Sequence, residues 1–444
     1  MSSNITRISN EAETALSQLF ISAADRLPGN SGAERLRTDA IERFASLGLP
    51  GRRVEAWHYT DLRAAVRSAY PLAPAPDAQA LASAKAALAD VPEAGNLLVL
   101  VDGVYAAALS VLAPGPEIAL TSLEEALAGA DADFVADITA GGCGGSDSAV
   151  ALNAALMTDG VVITINANAH PGMPLNIVSI TTQKSDAAIF TRCLVRAGEG
   201  STASIVERHI NLGDAGLQAS SVLVINAGAK SNISHVFIGE GQGAGLLHVN
   251  TLLAGLGEGA QFSSFGLLDT GAFVRRQIFA RFNGPDARLD LAGLSLIRNK
   301  DHMDTTLVVE HIYPDCNSAE YFKHIVDGSG TGVFQGKISV APEAQKTDGA
   351  MKSQTIMLSD DAAMYNKPEL EIFADDVACG HGATCGSLDK DQLFYAMARG
   401  LSRSDAQALL LEAFGADAIE RVMSDAVKDE LTERLRNWLT GRKR

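Results

Sequence analysis

Cys379, His381 and Cys385 fall within seven positions of each other in Phe373-Ala374-Asp375-Asp376-Val377-Ala378-Cys379-Gly380-His381-Gly382-Ala383-Thr384-Cys385-Gly386. Thiolate and imidazole are the ligand types that suit zinc and iron–sulfur species. In an extended segment residues 379 and 381 point the same way, and Gly380 and Gly382 keep side-chain bulk away from the histidine between them. One chain therefore offers two or three ligands, fewer than a closed four-ligand site needs. Such a shortfall suggests a site shared with a second chain or filled transiently. The same spacing also fits a plain glycine turn or a Cys–His nucleophile pair.

A second constellation, Asp301, His302, Asp304, Glu310 and His311, offers carboxylates for acid–base work of the kind solenoid lyases and hydrolases perform. Its bland alternative is a set of solvated strand positions. Gly332-Val333-Phe334-Gln335-Gly336-Lys337-Ile338 is no phosphate loop, because its glycines are one position too close and Ile338 stands where a magnesium-holding Ser or Thr is needed. Cys193 lies in the apolar run Phe190 to Val195 and reads as core. Cys316 sits at a predicted turn, a position open to exposure, with no role assigned, and Gly141 to Gly145 reads as a flexible loop leading into no clear helix.

The elements that must position these residues follow from composition and period. The 444 residues are 47% hydrophobic and 20% charged, a packed chain rather than a disordered one. A net charge of −17 argues against a nucleic-acid partner. No uninterrupted apolar run has spanning length, Met1 to Asn10 lacks the apolar core of a signal peptide, and five sparse cysteines argue against a disulfide framework. The expected location is the cytoplasm, away from membranes.

Turns at Gly198, Gly228, Gly257 and Gly284 recur at intervals of 30, 29 and 27 residues, and each precedes a strand-like run: Thr202–Glu207, Asn232–Ile238, Gln261–Leu267 and Arg288–Leu294. His170-Pro171-Gly172, Pro314-Asp315-Cys316 and Ala341-Pro342-Glu343 extend the series. A period of this size made of strands and turns predicts a mainly β chain with a β-solenoid core; an ordinary β-sandwich is the alternative. Helical patterns flank it. Leu16 to Leu27 and Ala33 to Leu47 lie at the start; Asp389 to Arg399, Ser402 to Phe414 and Asp417 to Leu439 lie at the end, with Gly400 and Gly415 at the joins. The expected divisions are 1–95, a helical region and linker; 96–387, the β-helix core; and 388–444, a helical domain. The last helix carries an apolar stripe from Ile419 to Trp438, read as packing on the solenoid, with Glu430 and Arg434 paired on the opposite face.

Several segments together resemble the SufB/SufD family of SUF iron–sulfur cluster assembly proteins. They are Arg53-Val54-Glu55-Ala56-Trp57-His58-Tyr59-Thr60; Asn299 to Lys323; Gly332 to Ile338; Ala344-Gln345-Lys346-Thr347-Asp348; Pro368-Glu369-Leu370-Glu371-Ile372; Asp375 to Gly386; and Leu393-Phe394-Tyr395 with Arg399-Gly400. Lys352-Ser353-Gln354-Thr355-Ile356 lacks the cysteine of a SufB-like chain, so the resemblance is to the SufD branch. Cys385 departs from the aliphatic residue expected there, which leaves its participation open.

The resemblance implies a right-handed parallel β-helix between helical ends and a scaffold without enzyme activity. It implies two partners, SufB and the SufC ATPase, the latter docked through the C-terminal helical domain; pairing of isolated chains as a homodimer stays open. His381 is then a metal ligand facing SufB, with Cys379 as its supporting thiol. The cargo is a transient iron–sulfur cluster or iron at the SufB interface, with no cofactor in the isolated chain. A polysaccharide lyase or hydrolase, and a pure ATPase adaptor without metal contact, are the competing functions.

Overall fold

A computed structural model describes residues 9–441 except 93, 94, 114, 116, 242–244 and 270; the polar start at residues 1–8 lies outside the described residues. The chain winds back and forth between two sheets, one of ten strands and one of nine, with successive strands alternating between them from Val161–Ile165 onward. Stacked strands pair in parallel and in register, so each residue sits over its counterpart one coil earlier. The result is a β-solenoid of about seven turns flanked by helices.

The repeating glycines mark the corners, where coils approach most closely. A Cβ on Gly198 or Gly228 would lie 2.5 Å from the backbone of the preceding coil, and one on Gly284 would lie 2.4 Å from Glu258 N. Two residues on, each corner bends through a left-handed residue: Asn168, Gly200, Lys230, Gly259, Asp286, Asp315 and Lys346 all have φ between 56° and 65°. The sequence period is therefore a steric period.

Inward-facing side chains from both sheets form one continuous apolar core, with Phe262, Leu289, Leu307, Phe334 and Ile338 among its members. Burying each such side chain contributes roughly 1.5–3 kcal/mol. At the start of the stack this core is closed. The hairpin Asn96–Val101 with Val104–Tyr105 and the antiparallel pair Ile118–Ser122 with Val161–Ile165 end the two sheets. Helix Ala78–Ala87 packs on the same end through buried Ala84. At the other end the sheets finish with Ala363–Ile372 and Ala378–Gly386, and no described helix covers these two strands.

The N-terminal helices Glu11–Ser22 and Ser31–Leu47 pack with Ser148–Leu156 against the outer face of the nine-stranded sheet. Asn10, Asn30 and Asp147 cap the three helices through their side-chain oxygens. The Asp147 cap means that the run Gly141 to Gly145 does lead into a helix, contrary to the sequence reading. Between this bundle and the last coils runs the segment 52–60. Trp57 is buried with the Arg275 guanidinium 3.7 Å over its ring; Arg275 and Thr60 both bond Asp304; Tyr59 stacks on Tyr365.

The C-terminal helices are Lys390–Ala398, Arg403–Ile419 and Asp425–Gly441. The second break falls after Ile419, not at Gly415. Gly415 is buried inside a helix because a Cβ there would lie 2.6 Å from Leu435 Cδ2, so the residue read as a helix stop is a close helix–helix crossing. The stripe Ile419, Val422, Val427, Leu431, Leu435 and Trp438 packs on the outer face of the ten-stranded sheet. Two ionic clamps add to it. Arg208 holds Glu430 in a bidentate pair at 2.5 and 2.6 Å, and Lys323 meets Asp417 at 2.5 Å beneath the ring of Phe414. Glu430 thus faces the solenoid as well as Arg434, where sequence alone set it on the solvent side.

Candidate metal-ligand edge

The Cys379 segment is the terminal strand, Ala378–Gly386, paired on one side only with Asp348–Met357. Alternation along that neighbour settles which way the ligand residues point. Gly349, Met351, Ser353 and Thr355 are its buried, inward-facing positions, and they sit opposite Cys379, His381, Ala383 and Cys385. The two cysteines and the histidine therefore share the inward face, at the mouth where the last coil ends.

Cys379 is half-buried and packs on the edge of the apolar core, while His381 is exposed and its imidazole makes no hydrogen bond within the described residues. Their Cα positions are about 7 Å apart along an extended strand, close enough to address one metal centre. Cys385 lies roughly 20 Å from Cys379 along the strand, and the Asn366 amide donates to its Sγ at 3.0 Å. It belongs to a different part of the mouth.

Burial pushes the Cys379 thiol up; the backbone of Gly349 opposes this, and the charge of Asp348 adds to it. The thiol is therefore protonated at neutral pH, and binding a metal must displace its proton. A Cβ at Gly380, Gly382 or Gly386 would meet nothing within 4 Å. Gly380 and Gly382 thus leave the approach to His381 clear. Asp375 and Asp376 stay exposed in the corner before the strand. No set of three or more His, Cys, Asp or Glu among the described residues forms a metal site.

The structure disperses the second constellation. His302, Asp304 and Glu310 point outward from their strand and His311 points inward. Asp304 is fully buried and bound to Arg275, Glu310 pairs with Arg281 at 2.7 Å, and His311 Nε2 lies 3.1 Å from Ser318 Oγ. Asp301 is in a corner outside the strand. No two of its carboxylates face each other across a cleft. Cys193 is core as expected, and Cys316 is buried too, because the corner turn folds its thiol inward 3.4 Å from the carbonyl of Gly284.

Sequence reasoning passed over the polar interior. Glu207, His235, His248, Asn250 and Arg276 form one buried cluster in the middle coils, while Glu320 and His324 lie buried nearer the mouth. Two-residue alternation around Phe322 was the available signal, since Ser318, Glu320 and His324 share its face.

Two family models match the chain: SUF system FeS cluster assembly, SufBD core domain, over residues 179–414, and SufBD protein N-terminal region over residues 10–177. The iron–sulfur cluster assembly protein SufD of Escherichia coli is 30% identical over 90% of this chain and 92% of its own length. An iron–sulfur cluster assembly SufBD family protein of Synechocystis is 26% identical over 96% of this chain and 95% of its own. The SufD protein of Bacillus subtilis is 25% identical over 63% of this chain and 64% of its own.

Proposed function

This chain belongs to the SufBD family, as a SufD-type iron–sulfur cluster assembly protein, and on that premise we propose that it is a non-catalytic scaffold lending His381, backed by Cys379, to a nascent cluster. The observation that carries the reading is the position of the imidazole: exposed, without a hydrogen-bonding partner in the described chain, on a strand whose outer side is unpaired. A second subunit meeting that edge completes the ligand set that one chain leaves short. SufB is the partner proposed for it.

Iron and sulfide are cargo here, held by too few protein ligands on either side to be retained, and the isolated chain needs no cofactor. The proposed SufC docking surface lies on the C-terminal helices, where Phe394 is 74% and Tyr395 61% exposed and Leu401 and Leu409 are uncovered. Apolar side chains at this exposure mark an interaction surface. The clamps at Arg208–Glu430 and Lys323–Asp417 tie those helices to the solenoid, so movement of a docked ATPase moves the whole stack and opens or closes the seam at the mouth. The expected compartment is the cytoplasm; among the described residues no helix is long and apolar enough to cross a membrane.

The test is the His381→Ala chain co-expressed with its partners and purified without oxygen. The complex should assemble at wild-type stoichiometry while cluster absorbance is lost. Undiminished absorbance would overturn the ligand role.

A further inference from the structure

Two strands end the stack at the mouth, and their outer faces differ. Ala378–Gly386 turns Ala378, Gly380, Gly382, Thr384 and Gly386 outward, opposite to its ligand residues. A Cβ at any of those three glycines would meet nothing within 4 Å, and every residue of the strand except Cys379 is exposed. Its outer side is close to bare backbone. Ala363–Ile372 is mostly half-buried, and the segment 55–60 lies against its outer face. There the rings of Tyr59 and Tyr365 stack with centroids 4.8 Å apart at an interplanar angle of 18°. Glu55 pairs with Lys367, which also meets Glu369 at 3.3 Å.

The segment is anchored on the coils below. Trp57 is buried, and its Nε1 donates at 2.9 Å to Asp147, the cap of helix Ser148–Leu156. The Ala56 carbonyl accepts from Arg275 at 2.7 Å and from Gln335 at 3.1 Å. Thr60 bonds Asp304 and lies 2.9 Å from His302 Nε2. Arg275, Asp304, Val333 and Tyr365 form one column of the register, and Gln277, Thr306, Gln335 and Lys367 the next. The segment therefore crosses the last four strands of the nine-stranded sheet. Residues 56, 57 and 60 grip the inner three, and residues 55 and 59 reach the terminal one. The Glu55 side chain is 78% exposed, so its ion pair contributes little. The ring stack is the stronger hold.

We propose that Tyr59 is a positioning residue for the mouth: its ring holds the unpaired strand Ala363–Ile372 in sheet geometry ready for a second subunit. The mouth then has one preset edge and one yielding edge, and the yielding one carries Cys379 and His381. This rests on the reading above that a second subunit meets the mouth. An edge ordered beforehand loses less freedom when a partner arrives, while a strand with glycine at alternate positions keeps the freedom to shift.

In the isolated full chain, amide exchange should be slower along 363–372 than along 378–386. Tyr59→Ala should speed it about fivefold along 363–372 alone, the worth of a ring stack, and Tyr59→Phe, which keeps the ring, should restore it. Tyr365→Ala removes the same stack from the half-exposed side and should reproduce the effect even where Tyr59→Ala folds poorly. Equal exchange of the two strands in wild type, or acceleration spread through the whole stack, overturns the proposal. With SufB as the second subunit, Tyr59→Ala should slow association several-fold and Tyr59→Phe should not; an unaltered rate overturns the docking role whatever the exchange shows. Undiminished cluster in His381→Ala would instead overturn the reading beneath, and the exchange contrast would stand.

Discussion

The interior holds two buried glutamates in contrasting surroundings. In the middle coils Glu207 takes hydrogen bonds on both oxygens: His209 Nε2 at 2.7 Å and the Asn250 amide at 2.9 Å on one, His235 Nε2 at 3.2 Å on the other. Asn250 in turn accepts from Arg276 at 2.8 Å. Burial alone would raise this carboxyl, yet the hydrogen bonds of His209 and His235 hold it well below the ordinary range. Near the mouth, among the described residues, the side-chain oxygens of Glu320 and nitrogens of His324 make no hydrogen bond of good geometry, and burial drives both groups to their neutral forms, against a small opposing pull of the Ser318 hydroxyl on Glu320, the histidine down to about 3. A buried carboxylate bonded on both oxygens fixes the fold around it. One left without such bonds keeps bonding capacity in reserve where the stack ends, and the two kinds of site should respond oppositely to mutation.

The largest effect is expected from Glu207→Leu, which strands His209, His235 and Asn250 at once. Chemical unfolding should register a loss of about 3–5 kcal/mol, in the range for breaking a buried charged network; a loss below about 1 kcal/mol would abolish the distinction. Next comes a pH effect at Glu320. Its folded pKa lies above the value near 4.3 of an unfolded chain, so the folded state holds the extra proton between those values. Wild type should therefore lose stability relative to Glu320→Gln as pH rises from about 4.5 to 8, by roughly 1.4 kcal/mol per unit, readable as converging and then crossing unfolding curves. His324→Phe should be neutral or stabilising by about 1 kcal/mol, since it removes two buried nitrogens without a partner among the described residues and sits beside Phe334; a clear loss of thermal stability would mean that the ring does have a partner. His381→Ala should shift stability by less than about 0.5 kcal/mol, being an exposed change, while removing cluster build-up. Finding these two effects coupled would make His381 a structural residue.

The parts of the architecture legible in the sequence were those written in steric requirements. Gly198, Gly228 and Gly257 repeat because a Cβ would strike the coil before, so the period survives as glycine. Gly415 carries the same requirement in a helix crossing, and there the identical residue type was misread as a stop. The Cys379–His381 pair was visible because both residue types are chemically marked and two positions apart in a strand. The interior cluster was not, because inward and outward cannot be assigned until the corner phase is known. Asn317–Val326 sends Tyr321 and Lys323 toward the C-terminal helices and Glu320 and His324 inside, the reverse of what polarity alone suggests. Asp304 was equally hidden: its partner Arg275 lies a full coil away, and only stacking brings them together.

A stack in which each coil grips only its neighbours distributes its cohesion unevenly. Every inner strand is hydrogen-bonded on two sides, and each strand that ends a sheet, Ala363–Ile372 and Ala378–Gly386 at the mouth among them, on a single side. Amide exchange should accordingly be fastest along residues 378–386 and slow toward the middle coils. The molecule can thus loosen at its rim, where cargo has to come and go, without spending any of the order that keeps the rest of the column standing.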